Sequence, residues 1–558
     1  MNNNNNKYNN VNVEAILNTE GNKANYLYAS CHTSIDKDLM LKFAKQYFNE
    51  YFFVEDFAGE PVVLRPFHST RIIEGNDGRK RTYTTLKYKK YTHEKFIKQR
   101  RKEIFEVRVE NQRTNKMEVK EIRYVDFWLD TMTDLCKVYK ETVFDPSPYF
   151  DNPDVLNMWT GFVEPKKGDI SIFLDYIENL VGNKINAEYI VKLLAYTVRF
   201  PHRNTGTSIV LVGPHGCGKS TLSETIRAIC PNHSNTVENL KKDLLEGFNE
   251  EYTYTKYFLH EESFFSGDKE SSNHLKTLIT GETRKTKTKF FANDGVDNYA
   301  FHVFTSNHEV PVNLEIGDRR YNLFKCKKTD FNYDEYYDWL KGEGKHSLVN
   351  YFMNEVDLEG FNPRKILKTK EHDEATLSCL PPIENYLNQL LHLECEWLEV
   401  FDDESLISEK WISEEIKVNR QKVYDGFVKY CKDHDLHKTL RDNPPAVFTK
   451  KLAELFDFPK NHKDNWKDAK IGRYYKIPQL NKAREMFCEA IKVDICVFYQ
   501  EKYEEKIEAQ IKKLEYEANL KSGKFDHAKK EFPEEVKVEI PKYMPKFGKQ
   551  EEYYGEEK

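Results

Sequence analysis

The sequence predicts an α/β fold, organised around a core that contains a parallel sheet. Three observations carry the prediction. Residues 209–212 form a short apolar run, the glycine-rich segment GPHGCGKST follows it, and a helix-like segment covers residues 222–230. Two further apolar runs, at residues 257–259 and 301–304, are typical of buried strands, and each is followed by polar residues. The flanking patterns predict an α+β region and a small helical bundle ahead of this core, and a smaller α+β domain behind it.

The glycine-rich segment has the pattern G-x-x-x-x-G-K-[ST], which cradles nucleotide phosphates when it joins a strand to a helix. Its glycines let backbone N–H groups turn towards a phosphate, and the following helix presents its N-terminus to the same anion. Lys219 is expected to reach the β- and γ-phosphates of ATP, and the Ser220 hydroxyl to coordinate Mg²⁺. The alternative, a glycine-rich turn with a chance lysine, is disfavoured by the strand before it and the helix behind it. The predicted nucleotide-binding residues are Gly213, Pro214, His215, Gly216, Cys217, Gly218, Lys219, Ser220 and Thr221.

The composition is that of a polar, soluble protein, with 39% hydrophobic and 32% charged residues. The net charge is −6, so a site for a polyanion has to be a local patch. Ten cysteines show neither a CxxC pair nor zinc-ligand spacing, which indicates reduced thiols in an intracellular protein. No run of 18 apolar residues and no signal-peptide pattern is present, which argues against a membrane or secreted protein.

The chain divides by composition and pattern into seven predicted segments. They are a disordered Asn-rich tail (1–24), an α+β region of unknown role (25–144), a helical bundle (145–206), the nucleotide-binding core (207–345), a helical connector (346–408), the second α+β domain (409–492) and a charged helix with a flexible tail (493–558). Strands are expected at residues 52–54 and 61–64, around a turn at Gly59. In the helical bundle, Asn186 is expected to cap a helix that ends before Pro201.

Basic residues are dense between residues 79 and 102, with Tyr83, Tyr88 and Tyr91 interleaved. Such a stretch can be a nucleic-acid surface with stacking rings. It can also be a hairpin and a solvated helix face, and we favour this second interpretation.

Paired acids follow the apolar run at residues 257–259. In a nucleotide hydrolase one carboxylate holds Mg²⁺ and the other polarises the attacking water. We assign Glu261 to the metal and Glu262 to the base, because the phosphate loop lies about 40 residues upstream. Without that loop an ordinary exposed Glu-Glu pair would be the favoured interpretation. Asn307 follows the next apolar run, where it is expected to orient the attacking water or contact the γ-phosphate.

A lysine-rich segment lies between these two strands. Lys285, Lys287 and Lys289 alternate with other residues, which predicts a hairpin strand with one basic face, whereas Arg284 faces the opposite way. The three lysines are predicted to bind DNA. Lysines on an edge strand also block edge-to-edge pairing, and this is the alternative.

Paired arginines, Arg319 and Arg320, precede the last apolar run of the core. A guanidinium stabilises charge on a transferring phosphoryl group, so these residues are expected to reach the nucleotide of a neighbouring subunit. Both are kept as candidates, and the position in the Asp-Arg turn favours Arg319.

The loop, the acid-bearing strand, the lysine-rich segment, the strand that ends at Asn307 and the arginine turn occur in this order within about 110 residues. The set resembles the superfamily 3 DNA helicases of the AAA+ group, found in viruses, phages and plasmids, and above all the helicase part of poxvirus-type primase–helicases. The resemblance covers residues 145–345. Here the second motif is His-Glu-Glu, where the family has Asp-Glu or Asp-Asp, so the resemblance does not assign the separate roles of the two acids.

The resemblance implies an ATP- and Mg²⁺-dependent helicase that forms a ring, usually a hexamer. ATP would lie between subunits, single-stranded or forked DNA in the pore against the lysine hairpin, and translocation would run 3′ to 5′. A separate primase or polymerase is an implied partner, since a full set of primase carboxylates is missing here. The alternative is an AAA+ ATPase that melts or remodels DNA without processive unwinding.

The C-terminal part predicts a helix at 414–435, a helix at 446–456, an extended basic segment at 460–477 and a helix at 482–491. This order resembles the winged-helix domains appended to such helicases. A phosphate-binding wing and a solvated loop are equally compatible with the basic segment, whose polar residues are Asn461, His462, Lys463, Lys467, Lys470, Arg473 and Tyr474.

Overall fold

The computed structural model describes residues 50–57, 59–74, 80–102, 104–111, 114, 116–123, 125–126, 137–238, 243–244, 252–261, 269–285, 295–308, 312–392, 411–459 and 466–499. The predicted Asn-rich tail and the charged helix and tail expected after Tyr499 lie outside these residues. Within them, no helix combines the length and the apolar character that crossing a bilayer requires.

The first sheet has the strand order β3-β2-β1-β6-β7. Its strands are β1 (Phe52–Phe57), β2 (Glu60–Glu74), β3 (Lys80–Thr92), β6 (Lys137–Val143) and β7 (Val155–Asn157). The predicted turn at Gly59 joins β1 to β2, and its φ of +94° is one that glycine adopts without strain. Helix α1 (His93–Arg100) follows β3, and strands β4 (Ile104–Asn111) and β5 (Lys116–Arg123) form a separate antiparallel pair.

Two helices precede the core, α2 (Ser171–Val181) and α3 (Lys184–Arg199). The predicted cap at Asn186 is wrong, because the side chain of Asn183 accepts from the Asn186 backbone N–H and caps α3. Gly182 ends α2 in the left-handed conformation, which leaves Asn183 as the first extended residue. The end of α3 at Arg199, before Pro201, is as predicted.

The central sheet is parallel throughout, with the order β14-β8-β13-β10-β9. Its strands are β8 (Ser208–Val212), β9 (Ser234–Val237), β10 (Tyr257–His260), β13 (Phe301–Ser306) and β14 (Tyr321–Lys325). Helices α4 (Lys219–Ile229) and α5 (Lys269–Thr280) lie between the strands in sequence, and a short antiparallel pair, β11 (Thr283–Lys285) with β12 (Gly295–Asp297), precedes β13. The predicted α/β class with a parallel sheet is therefore confirmed.

Alternate residues of the central strands face two different hydrophobic cores. Ile209 and Leu211 pack in the core that contains α2, α3 and α4, whereas Val210 and Val212 pack in the core that contains Leu275 of α5. The strand run is therefore apolar on both faces, as expected for a sheet covered by helices on each side. Downstream come α6 (Tyr333–Trp339), a π-helical turn (Leu340–Gly344), α7 (Lys345–Asn354), α8 (Lys370–Ser378) and α9 (Pro382–His392).

The C-terminal region combines helices with a three-stranded antiparallel sheet of order β15-β17-β16. Its elements are β15 (Ile416–Asn419), α10 (Arg420–Asp433), α11 (His437–Asp442), α12 (Pro445–Leu455), β16 (Lys467–Asp468), β17 (Gly472–Ile477), α13 (Leu480–Ile491) and a 3-10 turn (Ile495–Phe498). The predicted helical start at residue 414 is wrong, because Ile416 and Val418 are buried on alternate positions of a strand. The Asn419 side chain then caps α10.

Candidate functional site at the carboxyl edge of the central sheet

Three strands of the central sheet end side by side. In the register of the parallel pairs, Ser306 of β13 lies beside Val212 of β8, and His260 of β10 lies beside Phe304. The residues that follow these strands are Gly213, Asn307 and Glu261. The structure thus brings the glycine-rich loop, Asn307 and Glu261 to one edge of the sheet, whereas Glu262 lies outside the described residues.

The loop is shaped by glycines. Gly216 and Gly218 have φ values of +76° and +92°, in the left-handed region. A Cβ on Gly213 would lie 2.5 Å from the Cys326 carbonyl oxygen, and one on Gly218 would clash with the Tyr333 hydroxyl. These glycines are required because the turn needs positive φ and the backbone approaches its neighbours closely.

Lys219 lies at the centre of the loop and is buried. Its Nζ donates to the carbonyl oxygens of Gly213 at 2.6 Å and Pro214 at 2.8 Å, and to Asn307 Oδ1 at 3.0 Å. Asn307 Nδ2 in turn lies 3.0 Å from Nε2 of His215. A positive charge is therefore held where the loop, Asn307 and His215 meet.

Helix α4 begins at Lys219 with Gly218 as its N-cap, and no side chain caps it. Its first turn holds no acidic residue, so the helix dipole and its amide groups favour an anion here. Ser220 is exposed at this end. Thr221 is buried, and its hydroxyl lies 2.9 Å from the Tyr337 hydroxyl, so this side chain of the predicted loop set stabilises the packing of α4.

Two thiols lie against the lysine. Cys217 Sγ is 3.6 Å from Lys219 Nζ. Cys326, which follows β14, is the other neighbour of the Cys217 thiol. The hydrogen bond from the Cys326 thiol and the charge of Lys219 lower the pKa of Cys217 to about 6. Burial raises the pKa of Cys326 well above its ordinary value, so the negative charge of this pair resides on Cys217.

Beneath Glu261, two imidazoles bridge the strands. His260 Nε2 of β10 lies 3.0 Å from His302 Nδ1 of β13, and the Phe304 ring stacks on His260 with centroids 4.2 Å apart. Burial, with the nearby charge of Arg284, lowers the pKa of His302 to about 3, and burial likewise lowers the pKa of His260 well below its ordinary value. Both rings are therefore uncharged at neutral pH. The two imidazoles beneath Glu261 add no positive charge near its carboxylate.

Among the described residues, no group of three or more His, Cys, Asp or Glu side chains is arranged to hold a metal ion. Ser220 and Glu261 remain the predicted Mg²⁺ ligands, and Glu261 is half-buried at the end of β10.

The described part of the lysine-rich segment ends with a short strand. Lys285 is the last residue of β11, and β11 pairs with β12 in antiparallel register. Arg284 is buried and donates to the carbonyl oxygens of Tyr252 and Thr255, at 2.8 and 3.1 Å, so it faces the body of the domain as predicted. Lys287, Lys289 and the Lys285 side chain lie outside the described residues.

The arginine turn lies at the other edge of the sheet. Arg320 immediately precedes β14, its carbonyl oxygen accepts from Ser208 N–H at the start of β8, and its guanidinium donates to Asp318 at 3.1 Å. Arg319 is exposed. The five residues of a strand, about 16 Å, separate this edge from the glycine-rich loop of the same chain.

Tyrosines behind the loop were not singled out from the sequence. Tyr176 donates to the Gly218 carbonyl oxygen at 2.9 Å, and the Tyr336 hydroxyl lies 2.7 Å from the Thr225 hydroxyl. With Tyr337, these side chains anchor the loop and the start of α4. The aromatic density of residues 331–339, FNYDEYYDW, is the signal that could have found them.

The fold and the site define an α/β protein with an anion-accepting loop at the carboxyl edge of a parallel sheet. Residues 211–320, which hold this site, match a family model described as Family of unknown function (DUF5906). The chain is 26% identical over 212 residues to a protein of Nitratiruptor phage NrS-1 called DNA Primase-polymerase. That match spans 37% of this chain and 27% of the phage protein, about a quarter of its length.

Solved structures of the NrS-1 C-terminal region are also similar to this chain. One apo structure of residues 305–718 is 18% identical, covers 56% of this chain and 80% of that chain, and has a TM-score of 0.41. An A-form apo structure of the same region is 16% identical, covers 56% of this chain and 83% of that chain, and has a TM-score of 0.43.

Proposed function

We propose that this chain is an ATP-driven DNA helicase of phage genome replication. The observation that carries the proposal is the meeting of Lys219, Asn307 and Glu261 at one sheet edge, beside a helix N-terminus that no side chain caps. The similarity to a phage protein named for primase and polymerase activity supports a replication role.

The loop residues fit a nucleotide triphosphate. The uncapped start of α4 and the ammonium of Lys219 offer the donors and the positive charge that the β- and γ-phosphates require. Mg²⁺ would be held by the exposed Ser220 hydroxyl and by Glu261, and would neutralise charge on the phosphates. Glu262 is the proposed base that polarises the attacking water. Asn307, bonded to Lys219, is positioned to orient that water.

The arginine turn supports an assembly in which one subunit completes the site of its neighbour. Because Arg319 is at the sheet edge opposite its own loop, about 16 Å away along the strands, its position favours the nucleotide of another subunit over that of its own chain. Its exposure leaves it accessible for this role, whereas Arg320 is held by Asp318. A ring, with six subunits by family resemblance, satisfies this requirement for every member. DNA in its pore would contact Lys285, Lys287 and Lys289.

A strand-displacement assay on a forked duplex, with ATP and Mg²⁺, tests the proposal. The wild type is expected to displace the strand, and Lys219→Ala to lose both ATP hydrolysis and displacement, because the phosphates lose their main counter-charge. Lys192→Ala is the matched control, since this helix α3 lysine pairs with Glu188 at 2.7 Å and is remote in sequence from the loop. ATP hydrolysis with melting of short duplexes but no processive displacement would favour the remodelling ATPase instead. Absence of ATP hydrolysis in the wild type would refute both.

A further inference from the structure

The first sheet carries a basic face that the proposed ATPase does not use. Residues 80–102 contain ten lysines and arginines and one acidic residue, Glu94, in a chain whose net charge is −6. They form β3 and α1, and β3 pairs with β2 along thirteen residue pairs. Positive charge is therefore concentrated on one two-stranded ribbon and the helix beside it.

Three cations of this region gather around aromatic rings. Arg65 Cζ lies 5.7 Å and Arg100 Cζ 4.9 Å from the centroid of the Tyr51 ring, and Lys89 Nζ lies 5.4 Å from that of Tyr91. Arg100 also donates to the Tyr51 hydroxyl. Two guanidinium groups thus share one ring, an arrangement in which their charges repel.

Lys89 is also directly opposite Arg65 in the ladder between β2 and β3. Like charges directly opposite each other destabilise a sheet. Glu50 pairs with Arg65 at 2.9 Å and is itself more than half exposed, so it offsets only part of this repulsion. An anionic ligand on this face would offset the rest.

The next rung on the same side of the ribbon pairs Phe67 with Lys87. Phe67 is 42% exposed, so much of its side chain is accessible in the middle of the ladder. Within the described part of the chain, neither Lys87 nor Lys89 forms an ion pair. We define the ribbon face as Arg65, Phe67, Lys87, Lys89 and Arg100.

We propose that the ribbon face binds single-stranded DNA, at a site separate from the ATP-binding loop and from the lysine hairpin. Cations follow the phosphate backbone, and the exposed Phe67 ring stacks on a base, the combination found in sequence-tolerant single-strand binding. Successive rungs on this face lie about 6.8 Å apart, so cations repeat along the ribbon as charges repeat along a phosphate backbone. The cations and the exposed ring therefore both suit a single DNA strand that runs along the ribbon.

The alternative, that these residues prevent the sheet edge from pairing with other chains, accounts for only some of them. Strand β3 is at the edge of its sheet, where lysines prevent pairing with other chains. However, Arg65 and Phe67 belong to β2, an inner strand, and Arg100 belongs to α1. Their positions do not guard the edge, and an exposed Phe67 would promote association rather than prevent it.

The ribbon is also attached to the domain that carries the phosphate loop. The backbone N–H of Leu86 donates to Asn232 Oδ1 at 2.8 Å, and Asn232 lies three residues beyond the end of α4. A DNA strand bound to the ribbon face would therefore lie on an element that contacts the domain of the central sheet.

The test measures binding of a fluorescent oligothymidine by the full chain without nucleotide, over about 50 to 200 mM salt. Lys87→Gln with Lys89→Gln is expected to reduce the salt slope of log affinity by about 1.4, since each single-strand phosphate contact contributes about 0.7. The matched control is Lys166→Gln with Lys341→Gln, two lysines whose side chains are 49% and 64% exposed, with the same change of charge. Phe67→Ala is expected to weaken binding about 5- to 150-fold without changing the slope.

Equal slopes for the two double variants, with an unchanged affinity for Phe67→Ala, would overturn the proposal. So would self-association of the lysine variant with wild-type DNA binding, the result that edge protection predicts. Photocrosslinking of the wild type to an iodouracil oligonucleotide does not depend on any variant folding. It should label the peptide that contains Phe67, and crosslinks confined to other peptides would also refute the site. The ribbon variants should hydrolyse ATP without DNA at the wild-type rate. A failure of the ribbon site can therefore be distinguished from a failure of the proposed helicase activity.

Discussion

Lowering the pH from about 7.5 to about 5.5 is expected to destabilise the fold through buried histidines, of which His233 and His302 have the best-defined pKa values. His233 Nδ1–H donates to the Tyr254 carbonyl oxygen at 2.8 Å, and its Nε2 accepts from the Thr160 N–H at 3.0 Å. Burial lowers the pKa of His233 to about 4, and burial with the charge of Arg284 lowers that of His302 to about 3.

The folded protein holds both rings in their neutral form, so protonation of these histidines at lower pH reduces the free energy of unfolding. Because both folded pKa values are below the ordinary value of about 6.5, the stabilisation is complete above pH 6.5 and is lost as the pH falls towards 4. At pH 5.5, one unit below the unfolded value, each of these rings costs about 1.4 kcal/mol, so His233 and His302 together cost about 3 kcal/mol, and the buried His260 adds to this loss. Glu315, whose pKa the Lys276 ammonium lowers from 4.5, titrates below this window.

Urea unfolding at the two pH values, followed by tryptophan fluorescence, measures the loss. Trp159 stacks on His233 with centroids 4.6 Å apart, so its emission reports on this contact. In His233→Gln the difference in unfolding free energy between the two pH values should shrink by about 1.4 kcal/mol, whatever the variant's absolute stability. An undiminished difference in that variant, or equal wild-type stability at both pH values, would refute the reasoning.

Three further predictions concern the loop and the arginine turn. Asn307→Ala is expected to lower ATP turnover about 100-fold in steady-state kinetics with little change in KM, and a rise in KM alone would assign it to binding. Mixing Arg319→Ala with Lys219→Ala subunits should restore ATP hydrolysis above that of either variant, since one supplies an intact loop and the other the arginine; no recovery at any ratio would argue for action within one chain. Cys217→Ala removes a thiolate that competes with phosphate for Lys219, so ATP affinity at pH 8 should rise up to about tenfold by calorimetry, and an affinity that still falls from pH 6 to pH 8 in this variant would contradict that role.

The central strands and the loop were predictable because their signals are local. An apolar run, three glycines and a lysine within nine residues describe β8 and the loop without information from elsewhere in the chain. The helix boundaries failed where two local signals competed. Asparagine is a good capping residue, and both Asn183 and Asn186 lie near the start of α3. The left-handed Gly182 ends α2 immediately before Asn183, so Asn183 is the residue that caps α3.

The contacts behind the loop could not be predicted, because they join residues far apart in the sequence. Thr221 meets Tyr337 across 116 positions, and Tyr176 meets Gly218 across 42. The sequence favoured Arg319 over Arg320 only by its position in the Asp-Arg turn. In the structure their surroundings differ, because Asp318 binds Arg320.

The Lys219 ammonium donates to oxygens of Gly213, Pro214 and Asn307, and the Cys217 thiol lies 3.6 Å from it. Under the proposed function, an incoming phosphate therefore exchanges with these acceptors instead of adding to them. The ammonium attracts an anionic oxygen more strongly than a neutral carbonyl oxygen, so the exchange favours ligands that place several anionic oxygens at the ammonium. Selectivity for ATP over AMP then follows from competition at one nitrogen atom, and the loop, already ordered by the fold, loses little conformational entropy when the nucleotide binds.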